Sequence, residues 1–242
     1  MRIGLFSDVH ANYHALEAVL ADMARRGVDR LVCLGDVTMK GPLPKECVER
    51  VRDLGCPVLL GNTDSAFQPE RHPSNYPPRN QTQEAAQADF ERHLLVLSEA
   101  DQRWLAGLPM ALTEQVEGVQ LEFFHATPED NYVLTMPWAP TEQFAGLRQS
   151  AETGIAAFGH SHRPFVRFPQ GWMAINTGSV GAPYDGDWRA CYVIVELDGG
   201  STAAQIVRVP YDREAAIQAA QDVGMVGWEL FAHTVRTGRF AG

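Results

Sequence analysis

The sequence predicts an α/β fold, and the first sixty residues carry most of the support. Apolar runs of strand length alternate there with segments of helical spacing, which favours parallel strands joined by right-handed crossovers. The 242 residues suffice for one sizeable core, and 45% hydrophobic with 21% charged residues is typical of a globular protein. We find no internal repeat or domain boundary and predict a single domain over residues 1–242.

Short-range sequence patterns predict each helix and strand of the first sixty residues. Strands are predicted at 2–7, 30–34 and 57–60, and helices at 11–26 and 42–54. Leu16, Val19 and Met23 recur at helical spacing in the first helix, and Gly27 ends it. Pro42 opens the second helix, because proline is tolerated in a first turn.

The rest of the chain alternates less regularly. Residues 65–82 are rich in proline and predict a long loop, either a lid over a site or a surface excursion. Further helices are predicted at 83–97, 98–107 and, in more than one piece, 212–236, with a short helix after the polar loop 126–140. Further strands are predicted at 111–116, 119–124, 155–160, 164–168, 172–176, 191–197 and 205–209, with hairpin turns at Glu117-Gly118 and Gln170-Gly171.

Composition excludes several functions. The net charge of -10 argues against non-specific nucleic-acid binding, which depends on basic residues. The four cysteines have no C-x-x-C spacing, so they indicate buried thiols rather than a disulfide framework or a cysteine-based zinc site. The first apolar run reaches Asp8 too soon for a signal peptide or a membrane span. We therefore expect a cytoplasmic protein with no membrane partner.

Residue types that bind metals follow five predicted strands. They are Asp8, His10, Asp36, Asn62, His125, His160 and His162. A helix cap or turn explains any one of them, but repetition at equivalent strand ends favours a shared site, because ligand sites gather there in α/β sheets. Carboxylate, amide and imidazole ligands suit manganese, iron, zinc, nickel or cobalt. Seven ligands exceed one tetrahedral site, so two ions are the better count.

The pair His160 and His162 is ambiguous by itself. In an extended segment, side chains two apart point the same way, so both imidazoles could reach one ion. Neutral imidazoles are also common as hydrogen-bonded loop residues. The pair indicates a metal site only in combination with the other candidate ligands.

Five ordered motifs resemble the calcineurin-like metallophosphoesterase family. They are Asp8-Val9-His10, Gly35-Asp36, Gly61-Asn62, His125 and Gly159-His160-Ser161-His162. The continuation to Asn12 and the later Gly41-Pro42 are similar to the small bacterial and archaeal phosphodiesterase branch. The resemblance spans about residues 1–197. It implies a four-layer α/β/β/α sandwich of two mixed sheets flanked by helices.

The resemblance also implies roles for these residues. Asp8, His10 and His162 would hold one divalent ion, and Asn62, His125 and His160 the other. Asp36 would bridge the two ions, of which manganese is the first expectation and iron, nickel, zinc, cobalt or magnesium are alternatives. A metal-bridging hydroxide would then attack a small phosphate ester. Asp36 and Asn62 are thus also predicted to be catalytic.

The third motif departs from the commonest family form. Many members have a histidine after Gly-Asn, whereas this chain has Thr63 and Asp64. Thr63 cannot act as a general acid at neutral pH, and Asp64, the third predicted catalytic residue, would need a raised pKa. The small phosphodiesterase branch often has this departure, so the resemblance favours diesters or activated esters over alkyl monoesters.

Substrate contacts are less well specified. Asn12 and Ser179 are candidates to bind substrate, although Asn12 also suits a helix cap and Ser179 a tight turn. Tyr184 stands where close relatives are expected to have arginine, and Lys40 where the residue is often aromatic. These changes leave the substrate preference open, because arginine grips phosphate bidentately and tyrosine cannot.

Two functions without rapid turnover are alternatives. The chain could be a metal-binding scaffold on this fold, or a module that senses a bound nucleotide. The filled ligand positions favour an enzyme over the scaffold. The remaining histidines, His14, His72, His93 and His233, fit no motif and are expected to be structural or solvated. The oligomeric state is not predicted.

Overall fold

The computed structural model describes residues 1–240 and shows two mixed β-sheets packed face to face. Residues 241 and 242, the last of the predicted domain, lie outside the described residues. The strands are β1 Arg2–Phe6, β2 Arg30–Cys33, β3 Ala111–Val116, β4 Val119–Phe124, β5 Thr153–Phe158, β6 Phe165–Arg167, β7 Met173–Asn176, β8 Ala190–Asp198 and β9 Ser201–Val209. The α-helices are α1 Tyr13–Arg25, α2 Pro44–Asp53, α3 Gln81–Val96, α4 Glu99–Ala106, α5 Arg213–Asp222 and α6 Trp228–Thr237.

The first sheet has the order β2-β1-β8-β9 and the second β3-β4-β5-β7-β6. β1 runs parallel to β2, with Leu5 opposite Val32, and antiparallel to β8. β5 runs parallel to both β4 and β7. The carboxyl ends of β1, β2, β4, β5 and β7 therefore meet in one region. The predicted sandwich of two mixed sheets is confirmed.

The third predicted strand, at 57–60, is reduced to one bridge. Val58 pairs in parallel with Cys33, and the Leu59 amide donates to the Cys33 carbonyl. The ladder stops there because Gly35 leaves strand backbone with a φ of 93°, and its carbonyl accepts from the Asp8 amide. Both predicted hairpins are present, and Glu117 and Gly118 adopt positive φ of 49° and 82° in the tight turn between β3 and β4.

The core lies in layers. Apolar residues such as Leu5, Phe123 and Ile155 fill the space between the sheets. α1 and α2 pack on the outer face of the first sheet. The outer face of the second sheet is covered by a 3-10 helix, Thr141–Leu147, whose Phe144 packs against the sheet. The short helix predicted after residue 140 is thus present in 3-10 form.

The remaining segments pack at one side of the first sheet. The predicted loop 65–82 contains three short 3-10 turns, and Phe67 packs against Phe90 of α3 with ring centroids 5.2 Å apart. α5 and α6 form a separate small cluster, and the Gly186 amide donates to the Gly238 carbonyl at 2.8 Å. Within residues 1–240, no helix combines the length and apolar character that a membrane crossing requires.

Candidate metal centre

All seven predicted ligands lie together beyond the carboxyl ends of the strands. Asp8, His10 and His162 offer ligand atoms within 4.8 Å of one another, and so do Asp8, Asp36 and His125. Asn62 and His160 adjoin the second group. One atom of the Asn62 side-chain amide lies 3.0 Å from His125 Nε2 and 2.9 Å from His160 Nδ1. The folded chain therefore gathers residues that are up to 154 positions apart in the sequence.

The backbone at these residues is unusual. Asp8, His10, Asp36, His160 and His162 have φ of 53°, 48°, 57°, 65° and 56°. Left-handed backbone at residues other than glycine is costly and clusters at functional sites. The left-handed backbone also changes the directions in which the side chains of His160 and His162 point. Because His160 and His162 are not in extended backbone, the alternation that would aim both at one point does not apply, and that expectation was wrong.

Asp8 has one occupied and one free carboxylate oxygen. Its Oδ2 accepts hydrogen bonds from Ser7 Oγ at 2.5 Å and from the His160 amide at 3.1 Å. Its Oδ1 is buried, has no hydrogen-bond partner among the described residues, and lies 3.2 Å from His162 Nε2. Burial opposes ionisation, but the neighbouring imidazoles, His162 above all, outweigh it when protonated and then lower the pKa of Asp8.

Asp36 lies between the two groups. Its Oδ1 accepts a hydrogen bond from the Thr63 amide at 2.8 Å. Its Oδ2 lies 3.6 Å from His10 Nε2 and 3.5 Å from His125 Nε2. Gly61 permits this arrangement, because a Cβ there would come within 2.1 Å of Asp36 Oδ1. One Asp36 oxygen is thus held by the backbone and the other faces imidazoles on both sides.

Three imidazoles are oriented by backbone carbonyls. Nδ1 of His10, His125 and His162 lies 3.2, 2.8 and 2.5 Å from the carbonyl oxygens of Thr38, Leu34 and Ala182, respectively. If each Nδ1–H donates to its carbonyl, the Nε2 lone pairs face the site. His10 Nε2 and His162 Nε2 then lie 3.1 Å apart with lone pairs opposed. A cation between them would remove that repulsion.

His160 is turned the other way. Its Nε2 lies 3.2 Å from the Tyr132 carbonyl, which leaves Nδ1 facing the site, 2.9 Å from one atom of the Asn62 side-chain amide. That amide atom is also 3.2 Å from Asp36 Oδ2. With oxygen in this place, four acceptor atoms converge, as in a cation site; with nitrogen there, the amide donates to the others. The buried Asp8 oxygen and this donor set both fit divalent cations.

Asp64 serves the backbone next to Asp36. Its side chain is fully buried and accepts hydrogen bonds from the amides of Val37 and Thr38, each at 3.1 Å. Burial and the nearby Asp36 charge raise the pKa of Asp64 to about 6. The raised pKa matches the requirement for a general acid, but the carboxyl group faces backbone amides. Its catalytic role remains a prediction.

The two predicted substrate contacts have internal partners. Asn12 caps α1, since its Oδ1 accepts a hydrogen bond from the Ala15 amide at 3.2 Å, and its Nδ2 donates to the Gly181 carbonyl. Ser179 Oγ donates to the Asp8 carbonyl at 2.8 Å and accepts from the Ala182 amide at 2.8 Å. In this structure both side chains position the segments that carry ligands, and contact with substrate remains a prediction.

Two further residues border the site. Lys40 Nζ lies 3.3 Å from His10 Nε2, and the Tyr184 ring stacks on the His162 ring with centroids 4.1 Å apart. Lys40 lies 5.9 Å from the Tyr184 ring centroid. Sequence reasoning noted both positions only as departures from family patterns. Lys40 therefore supplies a positive charge on this side of the site, where Tyr184 stands in place of the expected arginine.

Comparison with known proteins identifies the family. A model of the calcineurin-like phosphoesterase superfamily domain matches residues 1–200. The uncharacterized protein MJ0912 of Methanocaldococcus jannaschii is 32% identical over 89% of this chain and 90% of its own length. The crystal structure of a metallophosphoesterase from Sphaerobacter thermophilus is 27% identical with a TM-score of 0.77, covering 98% of this chain and 99% of that one. The hypothetical protein PH1004 of Pyrococcus horikoshii shares the fold, with a TM-score of 0.83, 17% identity and 99% of each chain covered. The chain belongs to the calcineurin-like phosphoesterase superfamily.

Proposed function

We propose that this protein hydrolyses phosphate esters, diesters in preference to monoesters, with two divalent metal ions. The superfamily typically hydrolyses phosphate esters with metals. The observation that carries the proposal is the convergence of five carboxylate and imidazole side chains, which Asn62 and His160 adjoin, with a buried Asp8 oxygen that has no hydrogen-bond partner among the described residues. Protein interiors rarely leave such atoms unpaired unless a ligand completes them.

The geometry supports a division of the ligands between two ions. Asp8, His10 and His162 would hold one, and Asn62, His125 and His160 the other. Asp36 Oδ2 faces both sets and would be shared. When bound, two divalent ions supply an activated water and neutralise charge on the phosphoryl oxygens. Manganese is the first choice, and iron, nickel, zinc, cobalt or magnesium also suit these ligands.

The chain's own residues define the rest of the chemistry. Lys40 is positioned to bind a phosphoryl oxygen beside the imidazole of His10. No histidine follows Asn62, and the Asp64 carboxyl group is buried against backbone amides. A leaving group would therefore depart largely without a proton from the protein. This favours esters whose leaving groups are stable as anions.

The proposal is tested by an activity assay. Purified protein with Mn²⁺ is expected to hydrolyse bis(p-nitrophenyl) phosphate faster than p-nitrophenyl phosphate. The other metal ions are then added one at a time after Mn²⁺ has been removed with a chelator, and the hydrolysis rates rank the cofactors. Failure to hydrolyse any ester with metal bound would overturn the enzyme proposal. Faster hydrolysis of the monoester would overturn only the preference for diesters. The predicted cytoplasmic location is independent of this test.

A further inference from the structure

An apolar pocket of about 320 Å³ adjoins the metal centre. It lies between Lys40, Thr63 and Tyr184 on one side and residues of α3 and the C-terminal region on the other. Small-molecule pockets commonly have volumes of about 300 to 1,000 Å³, so this one suits a small organic group. Most of its lining side chains are apolar.

One end of the pocket belongs to the metal centre. Lys40 Nζ lies 3.3 Å from His10 Nε2, and the Thr63 amide donates to Asp36 Oδ1 at 2.8 Å. The Ala182 carbonyl accepts from His162 Nδ1. A group in the pocket therefore lies next to whatever binds at the ligand cluster.

The far wall comes from segments that the sequence motifs do not include. Ala85 and Ala86 are on α3, while Val226, Leu230 and Phe240 come from the C-terminal region, beyond the residues 1–200 that match the family model. Val226, Leu230 and Phe240 are 57%, 45% and 59% exposed. Apolar side chains that border a pocket while exposed gain stabilisation when an apolar ligand covers them.

Two polar side chains of the wall, Asp89 and Thr63, already have partners within the protein. Asp89 Oδ2 accepts a hydrogen bond from the Lys40 amide at 2.7 Å, and its Oδ1 accepts one from Arg92 at 2.8 Å. Thr63 Oγ1 donates to the Thr38 carbonyl at 3.1 Å. A nucleobase or sugar entering the pocket would lose hydrogen bonds to water that Asp89 and Thr63 are poorly placed to replace. A hydrocarbon group would lose none.

We propose that the pocket binds the apolar alcohol group, alkyl or aryl, of a phosphate ester whose phosphoryl group lies at the ligand cluster and Lys40. This inference rests on the proposed phosphoesterase activity and names its substrate class. Lys40 would meet the phosphate at the entrance. The C-terminal residues would then select the ester by its hydrocarbon arm.

The test varies the arm and keeps the leaving group constant. Methyl, hexyl and phenyl p-nitrophenyl phosphates are compared in the presence of Mn²⁺, together with an ester carrying a glycol arm as long as hexyl. In each, water adds to phosphorus, the bond to p-nitrophenolate breaks, and the other ester remains. We expect kcat/KM to rise by at least about tenfold from methyl to hexyl or phenyl, since a fully buried methylene contributes about fourfold. The glycol ester should resemble the methyl ester.

Variants locate the effect. Leu230→Asn, in the pocket wall, should reduce the hexyl-to-methyl ratio about threefold or more. Leu95→Asn is the matched control, because Leu95 is a helical leucine, 87% exposed, that does not line the pocket, and it should leave the ratio unchanged. Val226→Asn is a second pocket variant if Leu230→Asn does not fold. Circular dichroism checks the fold of each.

A binding measurement separates this proposal from the proposed function. Calorimetry with hexylphosphonate and methylphosphonate reports on the pocket without turnover, and hexylphosphonate should bind at least about tenfold more tightly. Hydrolysis with equal kcat/KM for all arms, and equal phosphonate affinities, would overturn the pocket assignment and leave the enzyme intact. Tighter hexylphosphonate binding without hydrolysis of any ester would support the pocket and overturn the enzyme proposal.

Discussion

Asp8 and Asp22 are both buried aspartates, but their surroundings differ. Asp22 Oδ2 accepts hydrogen bonds from Tyr192 Oη at 2.7 Å and Arg26 Nε at 2.6 Å, and its Oδ1 accepts one from Arg25 at 2.5 Å. Asp8 Oδ1 has no donor among the described residues and faces imidazole nitrogens. A structural carboxylate is completed by the protein itself, whereas a site carboxylate keeps a lone pair for a ligand from outside.

The comparison extends to whole clusters. Around Asp8 the backbone has several positive φ values and neighbouring acceptor atoms oppose one another, so the fold holds the site in an unfavourable arrangement. Around Asp22 the carboxylate oxygens accept hydrogen bonds from three side chains, which outweigh the cost of burial. We therefore expect changes at the metal centre to affect activity and metal binding, and changes at Asp22 to affect stability. The four predictions below test this division.

The largest effect is expected from Asp36→Asn. Loss of one carboxylate charge between the two ligand groups should reduce kcat for bis(p-nitrophenyl) phosphate by at least about a thousandfold, or about 4 kcal/mol, with the fold retained. Steady-state kinetics and circular dichroism measure this, and Asp22→Asn serves as the active control. A normal rate in Asp36→Asn would rule out the shared role of Asp36.

Metal binding should stabilise the protein. Mn²⁺ at a hundred times its dissociation constant is expected to raise the free energy of unfolding by about 2.7 kcal/mol, because the ligands converge only in the folded state. Urea unfolding with Mn²⁺ and with a chelator measures the difference. The gain should be clearly smaller in Asp36→Asn at the same Mn²⁺ concentration. Equal gains in both proteins would place the ion elsewhere.

Asp22→Asn should reduce stability in a pH-dependent way. Burial alone would raise the pKa of Asp22, but hydrogen bonds from Tyr192, Arg26 and Arg25 outweigh it and lower the pKa below the usual 3.8. A lowered carboxyl pKa stabilises the folded state above the unfolded pKa, and this contribution is lost as pH falls through the folded pKa.

For metal-free protein we expect Asp22→Asn to lower the free energy of unfolding by about 2 kcal/mol at pH 7 and by less at pH 3, as measured by urea unfolding. Asp53→Asn, at an exposed aspartate that ends α2, is the matched control and should change stability little at either pH. A cost for Asp22→Asn that grows on acidification would contradict the assignment.

The smallest effect is expected from Ser7→Ala. Ser7 Oγ donates to the Asp8 oxygen that faces away from the other ligands, and also lies 2.7 Å from Thr177 Oγ1. Loss of such an orienting partner typically weakens metal affinity by about tenfold, or about 1.4 kcal/mol. Titration with Mn²⁺ measures the affinity. Unchanged affinity would show that the backbone amide of His160 suffices to orient Asp8.

Much of the fold and site could be predicted because the signals are local. The strand and helix alternation to residue 54 and the Glu117-Gly118 turn follow from short-range patterns, and the observed elements agree within a few residues. The segment at 57–60 was overpredicted as a strand, since its apolar pattern does not reveal that the neighbouring chain leaves strand backbone at Gly35. The hydrophobic pattern of a segment therefore predicts its burial more reliably than its pairing with a neighbouring strand.

The sequence by itself determined the fold class and which residues assemble at the strand ends, because the candidate ligands form short motifs in fixed order directly after predicted strands. Only the tertiary structure decided which imidazole nitrogen faces the site, which distant groups Asn12 and Ser179 bond, and that the C-terminal region lines an apolar pocket. Asn12 donates to Tyr211 Oη, 199 positions away, and Tyr184 meets Phe240 edge to face. Such contacts depend on how distant segments pack, and no local pattern encodes them.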